Sequence, residues 1–272
     1  MPAHLIEIED LPFVPSWFRD LGTDWVRFTC ERMGLYRSAA TRMAGFLKDL
    51  DGPHVVDLCS GSGGGWLSLL PQLDDLGVGN VRITLSDKYP NLRAANYLAR
   101  ESGSRLQYSP EASDVVRGAA DSADAYTMML AFHHFPENVA VQVLTRLTMQ
   151  GRPIAIFDIW GPGVLQRVPR AIGYLLFPVA LILNIFVPLL VLIGTPRVRP
   201  FRWSRLIFTY LLPFIPLYIW WDATVSILRA YDQDGLRRIV RQANPAKSFE
   251  WQVGLTSGPG PKALSYIIGI PR

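Results

Sequence analysis

The stretch "HVVDLCSGSGGGW", His54 to Trp66, constrains the fold more than any other part of the chain. Five residues with two valines and an acid next to last pass into a glycine-rich turn and lead into "WLSLLPQL", which has helical spacing. A strand that turns sharply into a helix needs glycine where the backbone bends and where a ligand approaches it closely. The same alternation repeats downstream. "VRITLS" is followed by the helix "NLRAANYLARES", "RLQYS" is a weak third strand, "AYTMMLAF" is followed by the helix "NVAVQVLTRLTM", and "PIAIFDI" is a fifth strand. Strands alternating with helices predict an α/β fold with a parallel, doubly wound sheet. The end of the chain departs from this pattern: "FEWQVGLTS", the turn "GPGP" and "KALSYIIGI" predict an antiparallel hairpin.

Two further regions frame this core. Ser16 to about Leu50 predicts a helical cap, with Trp17, Leu21, Trp25 and Phe28 in one apolar stripe. After the fifth strand, Ile172–Gly194 runs for 23 residues without a charge, and Leu206–Trp221 is a second apolar segment of 16 residues. The division expected is therefore a cap over 1–50, an α/β domain from 51–160 and 222–272, and an apolar helical insertion over 161–221. Charge follows the division: 19 acidic and 14 basic residues precede Gly161, whereas 4 acidic and 13 basic residues follow Trp160. Two cysteines are too few for a disulfide framework, and "MPAHLIEIEDLPF" has neither the basic start nor the apolar run of a signal peptide.

The glycine turn admits three cofactor classes. A phosphate-binding P-loop needs Gly-Lys-Ser/Thr, and "GSGGGW" has no lysine. A dinucleotide turn has a third glycine where Trp66 stands. The remaining class is S-adenosylmethionine (SAM), and here the chain resembles the class I, Rossmann-like SAM-dependent methyltransferases. The resemblance rests on Asp57, Cys59, Gly61, Ser62 and Gly63 in the first motif, with Cys59 replacing the usual first glycine. Asp87, 24 residues after Gly63 at the end of the second strand, matches the ribose-binding acid, with Lys88 beside it. "SPEASDVV" places Glu111 near the adenine amino group and Ala112 beside the ring; "MMLAFHHF" puts Leu130 and Ala131 at the cofactor and resembles an "HH" variant found in small-molecule methyltransferases. The resemblance implies a Rossmann-like seven-stranded methyltransferase sheet whose last strand is antiparallel, in agreement with the hairpin.

Methyl transfer from a sulfonium is an in-line displacement that asks mainly for positioning and exclusion of water. A base helps when the acceptor carries a proton. His133 and His134, at the carboxyl end of the fourth strand, are the catalytic candidates, on opposite faces if the strand continues through them. His134, further toward the strand end, is the preferred one. No metal is expected, because no further His/Cys cluster accompanies the pair. Asp158 and Trp160, after the fifth strand, are placed to line an acceptor pocket.

The insertion points to lipid. A 23-residue helix is about 34 Å long, enough for a hydrocarbon core of about 30 Å. Spanning would leave Arg197, Arg199, Arg202 and Arg205 outside, against the positive-inside tendency, and Pro178, Pro188, Pro213 and Pro216 would interrupt the helices. The expectation is a hairpin that dips into the cytoplasmic leaflet, with these arginines and Arg167 and Arg170 at anionic headgroups. It would also wall the acceptor path. The function expected is a membrane-associated SAM-dependent methyltransferase on the cytoplasmic face, acting on a lipophilic small molecule or lipid and forming a homo-oligomer. The rivals are a soluble oligomer with the apolar hairpin as interface and tunnel, a non-catalytic SAM-binding scaffold, and a nicotinamide oxidoreductase. A nucleic-acid partner is disfavoured, because "AFHHF" is not an Asn/Asp-Pro-Pro-aromatic motif.

Overall fold

A computed structural model describes residues 5–118, 123–161, 170–243, 248–257 and 263–272. Seven strands, β1 (His54–Leu58), β2 (Arg82–Ser86), β3 (Leu106–Tyr108), β4 (Ala125–Met129), β5 (Ile154–Ile159), β6 (Phe249–Leu255) and β7 (Leu264–Pro271), form one sheet in the order β3-β2-β1-β4-β5-β7-β6. β1 pairs in parallel with β2 and β4, and β7 pairs antiparallel with both β5 and β6. The expected doubly wound sheet with an antiparallel last strand is therefore present; its "GPGP" turn lies outside the described residues.

Alternation along β1 sends successive side chains to opposite faces. Val55 joins a core with α2 (Ala40–Leu47), α3 (Trp66–Asp75) and α4 (Leu92–Glu101), while Val56 and Leu58 join one with α5 (Glu137–Met149) and the late helix Gln233–Ala243. Both faces of the central strands are thus covered, as a parallel sheet requires. The turn after β1 fits because of what it lacks: at Gly63 the backbone has φ +90°, and a Cβ there would lie 2.8 Å from Leu98 Cδ1.

The cap departs from the single helix expected over Ser16–Leu50. α1 (Ser16–Met33) stops at Gly34, whose left-handed φ of 58° lets its N–H reach back to the Cys30 and Glu31 carbonyls; a 3-10 turn and α2 follow. The apolar stripe of α1 does have a partner. Leu21 and Trp25 pack with Val191, Val198, Ile215 and Ile219 of the insertion, and Phe18 and Phe28 flank them, while Trp17 is half exposed.

The insertion is broken beside two of the four prolines expected to interrupt it, Pro188 and Pro213, whereas Pro178 lies inside a helix and Pro216 in the first turn of another. α6 (Arg170–Leu183) ends before Asn184, α7 (Val187–Gly194) restarts with Pro188 in its first turn, and Phe177–Leu183 and Val187–Arg197 are bent by 43°. The short α8 (Trp203–Leu206) and a π-helical turn to Leu211 meet α9 (Phe214–Arg229) at 84°, across Pro213. No single helix among the described residues is long and apolar enough to cross a membrane; only these two bent pairs are, taken together. α9 runs unbroken through the expected boundary at Trp221/Asp222, so the insertion shares a helix with the domain, and α10 (Gln233–Ala243) begins after a break at Ala230–Asp232.

The arginines require a correction. Arg202 and Arg205 do not face outward: they are buried and pair with acids of α1, Arg202 Nη1 with Asp20 (3.2 Å), Arg202 Nε with Asp24 (3.1 Å) and Arg205 Nη2 with Asp24. A guanidinium leaves water only where carboxylates receive it, and α1 supplies two. Arg197 and Arg199 remain exposed. Arg167 and the Arg170 side chain lie outside the described residues.

Candidate active site

A cavity of about 410 Å³ opens at the carboxyl ends of β1, β2 and β4, where ligands bind in such sheets. Its volume falls in the range of small-molecule sites, about 300–1,000 Å³. One wall is the turn after β1, from Cys59 to Ser62 together with Gly64; Asp87, Lys88 and Tyr89 follow β2, and Met129, Leu130 and Ala131 end β4. Cys59 keeps the left-handed backbone of the glycine it replaces, with φ 54°, and Leu130 is left-handed too, at φ 52°. Such residues are strained and persist where their surroundings hold them, as ligand sites do.

Asp87 is the hub of the turn. Its Oδ2 accepts from the Gly61 N–H (2.8 Å) and its Oδ1 from the Tyr89 N–H (2.8 Å), and each oxygen keeps a lone pair toward the cavity. Burial pushes its carboxyl above the usual range, with the two N–H bonds opposing. Ser62 lines the same wall and donates to Asp24 Oδ1 (2.6 Å). Lys88 is mostly exposed and pairs with Asp114 (3.3 Å).

Four expected cofactor residues are placed differently. Asp57 and Gly63 do not line the cavity; they lie beneath it. Asp57 is fully buried and accepts from Thr127 Oγ1 (2.7 Å) and Ser60 Oγ (2.9 Å), so it holds the turn from below. Glu111 is exposed and away from the cavity, and Ala112 is exposed too, bordering only a shallow adjoining depression. The residues that follow, Ser113, Asp114, Val115 and Val116, line the cavity instead, and the Ser113 N–H donates to the Asp87 carbonyl (2.9 Å). "EASD" offers two acids, and the sequence does not say which one the chain turns inward. Ser113 Oγ is buried without a hydrogen-bond partner among the described residues.

The histidines also require correction. β4 ends at Met129, and Phe132–His134 is a 3-10 turn, so the two rings do not part to opposite faces; their centroids are 4.5 Å apart. His134 lines the cavity and His133 does not. His133 is 4% exposed and is gripped by Asp158, which accepts from its backbone N–H (2.7 Å) and its Nδ1 (2.7 Å). Asp158 thus positions His133 and does not line a pocket, while Trp160 stands exposed away from the cavity.

The cap brings acids that sequence reasoning missed. Glu9, Asp10, Arg19 and Asp20 line the cavity, and Glu7 is buried behind them. His134 Nδ1 donates to Asp10 (2.9 Å), and its Nε2 is 3.3 Å from Glu9 and 3.6 Å from Glu7. Burial disfavours the charged imidazolium, but Glu7, Asp10 and Glu9 outweigh it and hold the His134 pKa up at about 10. Held in its charged form, His134 is suited to orienting a group more than to taking a proton from one. Burial pushes Glu9 up to about 7 against the pull of His134. The one signal available was "EIED" itself, four residues dense in acid with no basic neighbour. Burial raises both thiols, Cys30 to about 12, so neither cysteine is a ready nucleophile.

No residue of the insertion lines the cavity among the described residues. α1 stands between them, presenting Thr23, Val26 and Cys30 to the cavity and Leu21 and Trp25 to the insertion. The expected acceptor wall is therefore the cap helix.

No protein-family model matches the chain, and no curated protein matches it. Solved structures do. The magnesium protoporphyrin IX methyltransferase of Synechocystis, with bound SAM, is 12% identical over 97% of this chain and 95% of that one, at a TM-score of 0.50. The mitomycin 7-O-methyltransferase is 16% identical over 86% of this chain and 54% of that one, at 0.45. A putative O-methyltransferase from Nostoc punctiforme is 16% identical over 90% and 59%, at 0.47. The chain spans little more than half the length of these two O-methyltransferases. With its strand order and antiparallel β7, the chain has the class I methyltransferase fold.

Proposed function

We propose that the chain is a SAM-dependent methyltransferase acting on a lipophilic small molecule or lipid at a membrane surface. The observation that carries the reading is the cavity at the turn after β1, where Asp87 offers lone pairs suited to a ribose diol and Ser113, bonded through its N–H to the Asp87 carbonyl, a hydroxyl unpartnered among the described residues. Both fit an adenosine-bearing ligand. When bound, SAM supplies a methyl group already activated on a sulfonium. The chain has to place the acceptor in line with it and exclude water. Arg19, whose guanidinium lies 3.7 Å from the centroid of the Tyr89 ring, joins the cap to the β2 end of the cavity. His134, which lines the same cavity, orients the acceptor.

The membrane part of the reading is supported by the insertion's outer surface. Leu175, Leu183, Phe186, Trp203 and Leu211 are each more than two-thirds exposed, among eighteen large apolar side chains exposed between Ile172 and Leu217 among the described residues. A segment so apolar in water marks an interaction surface. The broken helices favour lying in one leaflet over spanning.

Calorimetry with SAM and S-adenosylhomocysteine is the first test: binding in the micromolar range is expected, and Asp87→Ala should remove at least tenfold of it. Undiminished binding by that variant, or preference for NAD, refutes the cofactor assignment. Incubation with labelled SAM and a lipid extract should then give a labelled lipophilic product. A stable dimer that ignores vesicles would transfer the apolar surface to a protomer interface.

A further inference from the structure

We infer that Glu7, His133 and His134 form a binding site for one divalent transition-metal cation, of the Zn²⁺ or Mn²⁺ kind, on the cap side of the cavity. The three side chains come from places 126 residues apart in sequence, which is why the histidine pair looked unaccompanied. In the fold each offers one ligand atom, and these atoms all lie within 4.8 Å of one another. His133 Nε2 is 3.8 Å from Glu7 Oε1, and His134 Nε2 is 3.6 Å from Glu7 Oε2. A tetrahedral site with bonds of about 2.1 Å has ligand-to-ligand edges of about 3.4 Å, so small side-chain shifts would close it.

A second, independent observation points to a ligand. His133 Nε2 is buried and has no hydrogen-bond partner among the described residues, yet it is aimed at Glu7. Its Nδ1 is committed to Asp158 at 2.7 Å, which leaves Nε2 as the free nitrogen. His134 repeats the arrangement, with Nδ1 on Asp10 at 2.9 Å and Nε2 facing inward. Metal-binding histidines are oriented in this way, the second nitrogen held by a carboxylate. Two such pairs converge on one carboxylate.

The local charge agrees. Glu7, Glu9, Asp10 and Asp158 gather around the two rings, Asp222 accepts from the Ile8 N–H beside Glu7, and among the described residues Arg229 is the one arginine or lysine paired with the four. Arg229 Nη1 holds Glu7 Oε1 at 3.1 Å, and Ser226 Oγ donates to Oε2 at 3.0 Å. These bonds fix the carboxylate while leaving a lone pair on each oxygen. Two imidazoles and a carboxylate suit Zn²⁺, Mn²⁺ or a similar ion more than Mg²⁺ or Ca²⁺, which prefer oxygen alone. Ligand histidines are neutral, so binding releases the proton on His134 Nε2. The Glu9 side of the site faces the cavity. There a cation would hold an acceptor oxygen as a Lewis acid; this role, unlike the binding itself, rests on the methyl-transfer reading.

The test uses the whole chain. Metal content is measured as purified; the protein is then stripped with chelator and titrated by calorimetry with Zn²⁺, Mn²⁺ and Mg²⁺ separately, without SAM. One equivalent of Zn²⁺ or Mn²⁺ should bind with micromolar or tighter affinity and raise the thermal midpoint, and Mg²⁺ should bind more weakly. Glu7→Gln and His134→Gln should each lose at least tenfold in affinity, and Asp158→Asn, which is not itself a ligand but orients the His133 ring, about 10–100-fold. Absence of saturable binding in the wild type overturns the site, as does unchanged affinity in the Glu7 and His134 variants. Should those variants fail to fold, the Co²⁺-loaded wild type decides: visible bands of nitrogen- and oxygen-bound cobalt support the site, and a spectrum of aqueous cobalt overturns it. Loss of SAM binding would leave these readouts untouched, so the two proposals fail separately.

Discussion

Replacing Asp24 by Asn should unfasten the insertion from the cofactor turn. Asp24 is fully buried on α1. Its Oδ1 accepts from Ser62 Oγ at 2.6 Å and from Asn91 Nδ2 at 3.0 Å, while its Oδ2 pairs with Arg202 Nε at 3.1 Å and with Arg205 Nη2. One side chain thus joins the turn after β1, the cap of α4 and two arginines of the insertion. Asparagine preserves the shape and removes the charge. Arg202 would retain Asp20 and Asn91, but Arg205 would retain only the carbonyls of Val198 and Pro200. Breaking a buried ion pair from one side costs about 3–5 kcal/mol, because the remaining charge stays buried without a counter-charge. Against a total stability of about 5–15 kcal/mol, that is a large fraction. At about 2–4 °C per kcal/mol for a chain of this size, the thermal midpoint should fall by roughly 6–20 °C. Calorimetric and urea melts measure it, and a double-mutant cycle with Arg205→Met should show a coupling of roughly 1–3 kcal/mol. A loss below about 1 kcal/mol with no coupling would mean that Arg202 and Arg205 are solvated, and the docking of the insertion on α1 would be refuted.

Three further outcomes follow from the same structure. Cys59→Gly should stabilise the fold by about 1 kcal/mol by relieving a left-handed backbone at φ 54°, read by urea denaturation; destabilisation would show that the Cys59 side chain contributes more by packing than its backbone loses. Burial raises Asp57 from 3.8 to about 6 against the Thr127 and Ser60 bonds, so the folded state holds the proton more tightly and stability declines by a few kcal/mol as pH rises from about 4 through 6. Asp57→Asn should flatten that slope, leaving the variant more stable than wild type at pH 8, and an unchanged slope would refute the assignment. Leu183→Glu with Leu211→Glu, at positions 77% and 76% exposed, should abolish sedimentation with anionic vesicles while sparing SAM binding, since an acid in hydrocarbon costs about 3 kcal/mol; retained sedimentation would refute the membrane surface.

The sheet was legible because its signals are local. β1 falls on His54–Leu58 as read, and β2, β3 and β5 lie within a residue of their apolar runs. β4 was read three residues too long, since "LAF" continues the apolar run while Leu130 turns left-handed and ends the strand. The site was legible where one turn carries it, at Cys59, Gly61, Ser62 and Asp87. It was illegible where distant segments meet. Nothing in "EIED" announces that Glu7 packs against His133, because that contact depends on how the chain before α1 crosses the ends of β4 and β5. For the same reason, arginines in an apolar loop read as headgroup contacts. Only the fold shows that Asp20 and Asp24, on a helix 182 and 181 residues away in sequence, receive Arg202 and Arg205.

The two surfaces of the insertion explain why an enzyme fold would carry it without lending it to the cavity. Its inner surface is charged and specific, Arg202 and Arg205 on Asp24, with apolar contacts to Leu21 and Trp25 around them. Its outer surface is apolar and undirected. Between the two stands α1, a single helix that touches the cavity through Val26 and Cys30 and the insertion through Leu21 and Trp25. The contact is close: a Cβ on Gly22 would lie 2.3 Å from the Tyr218 ring of α9. A displacement of the insertion would therefore reach the cavity through α1 as a rigid body, and Asp24 would transmit it to Ser62 on the cofactor side. One helix packed on both sides thus links the insertion to the shape of the cavity, with no insertion residue lining it among the described residues.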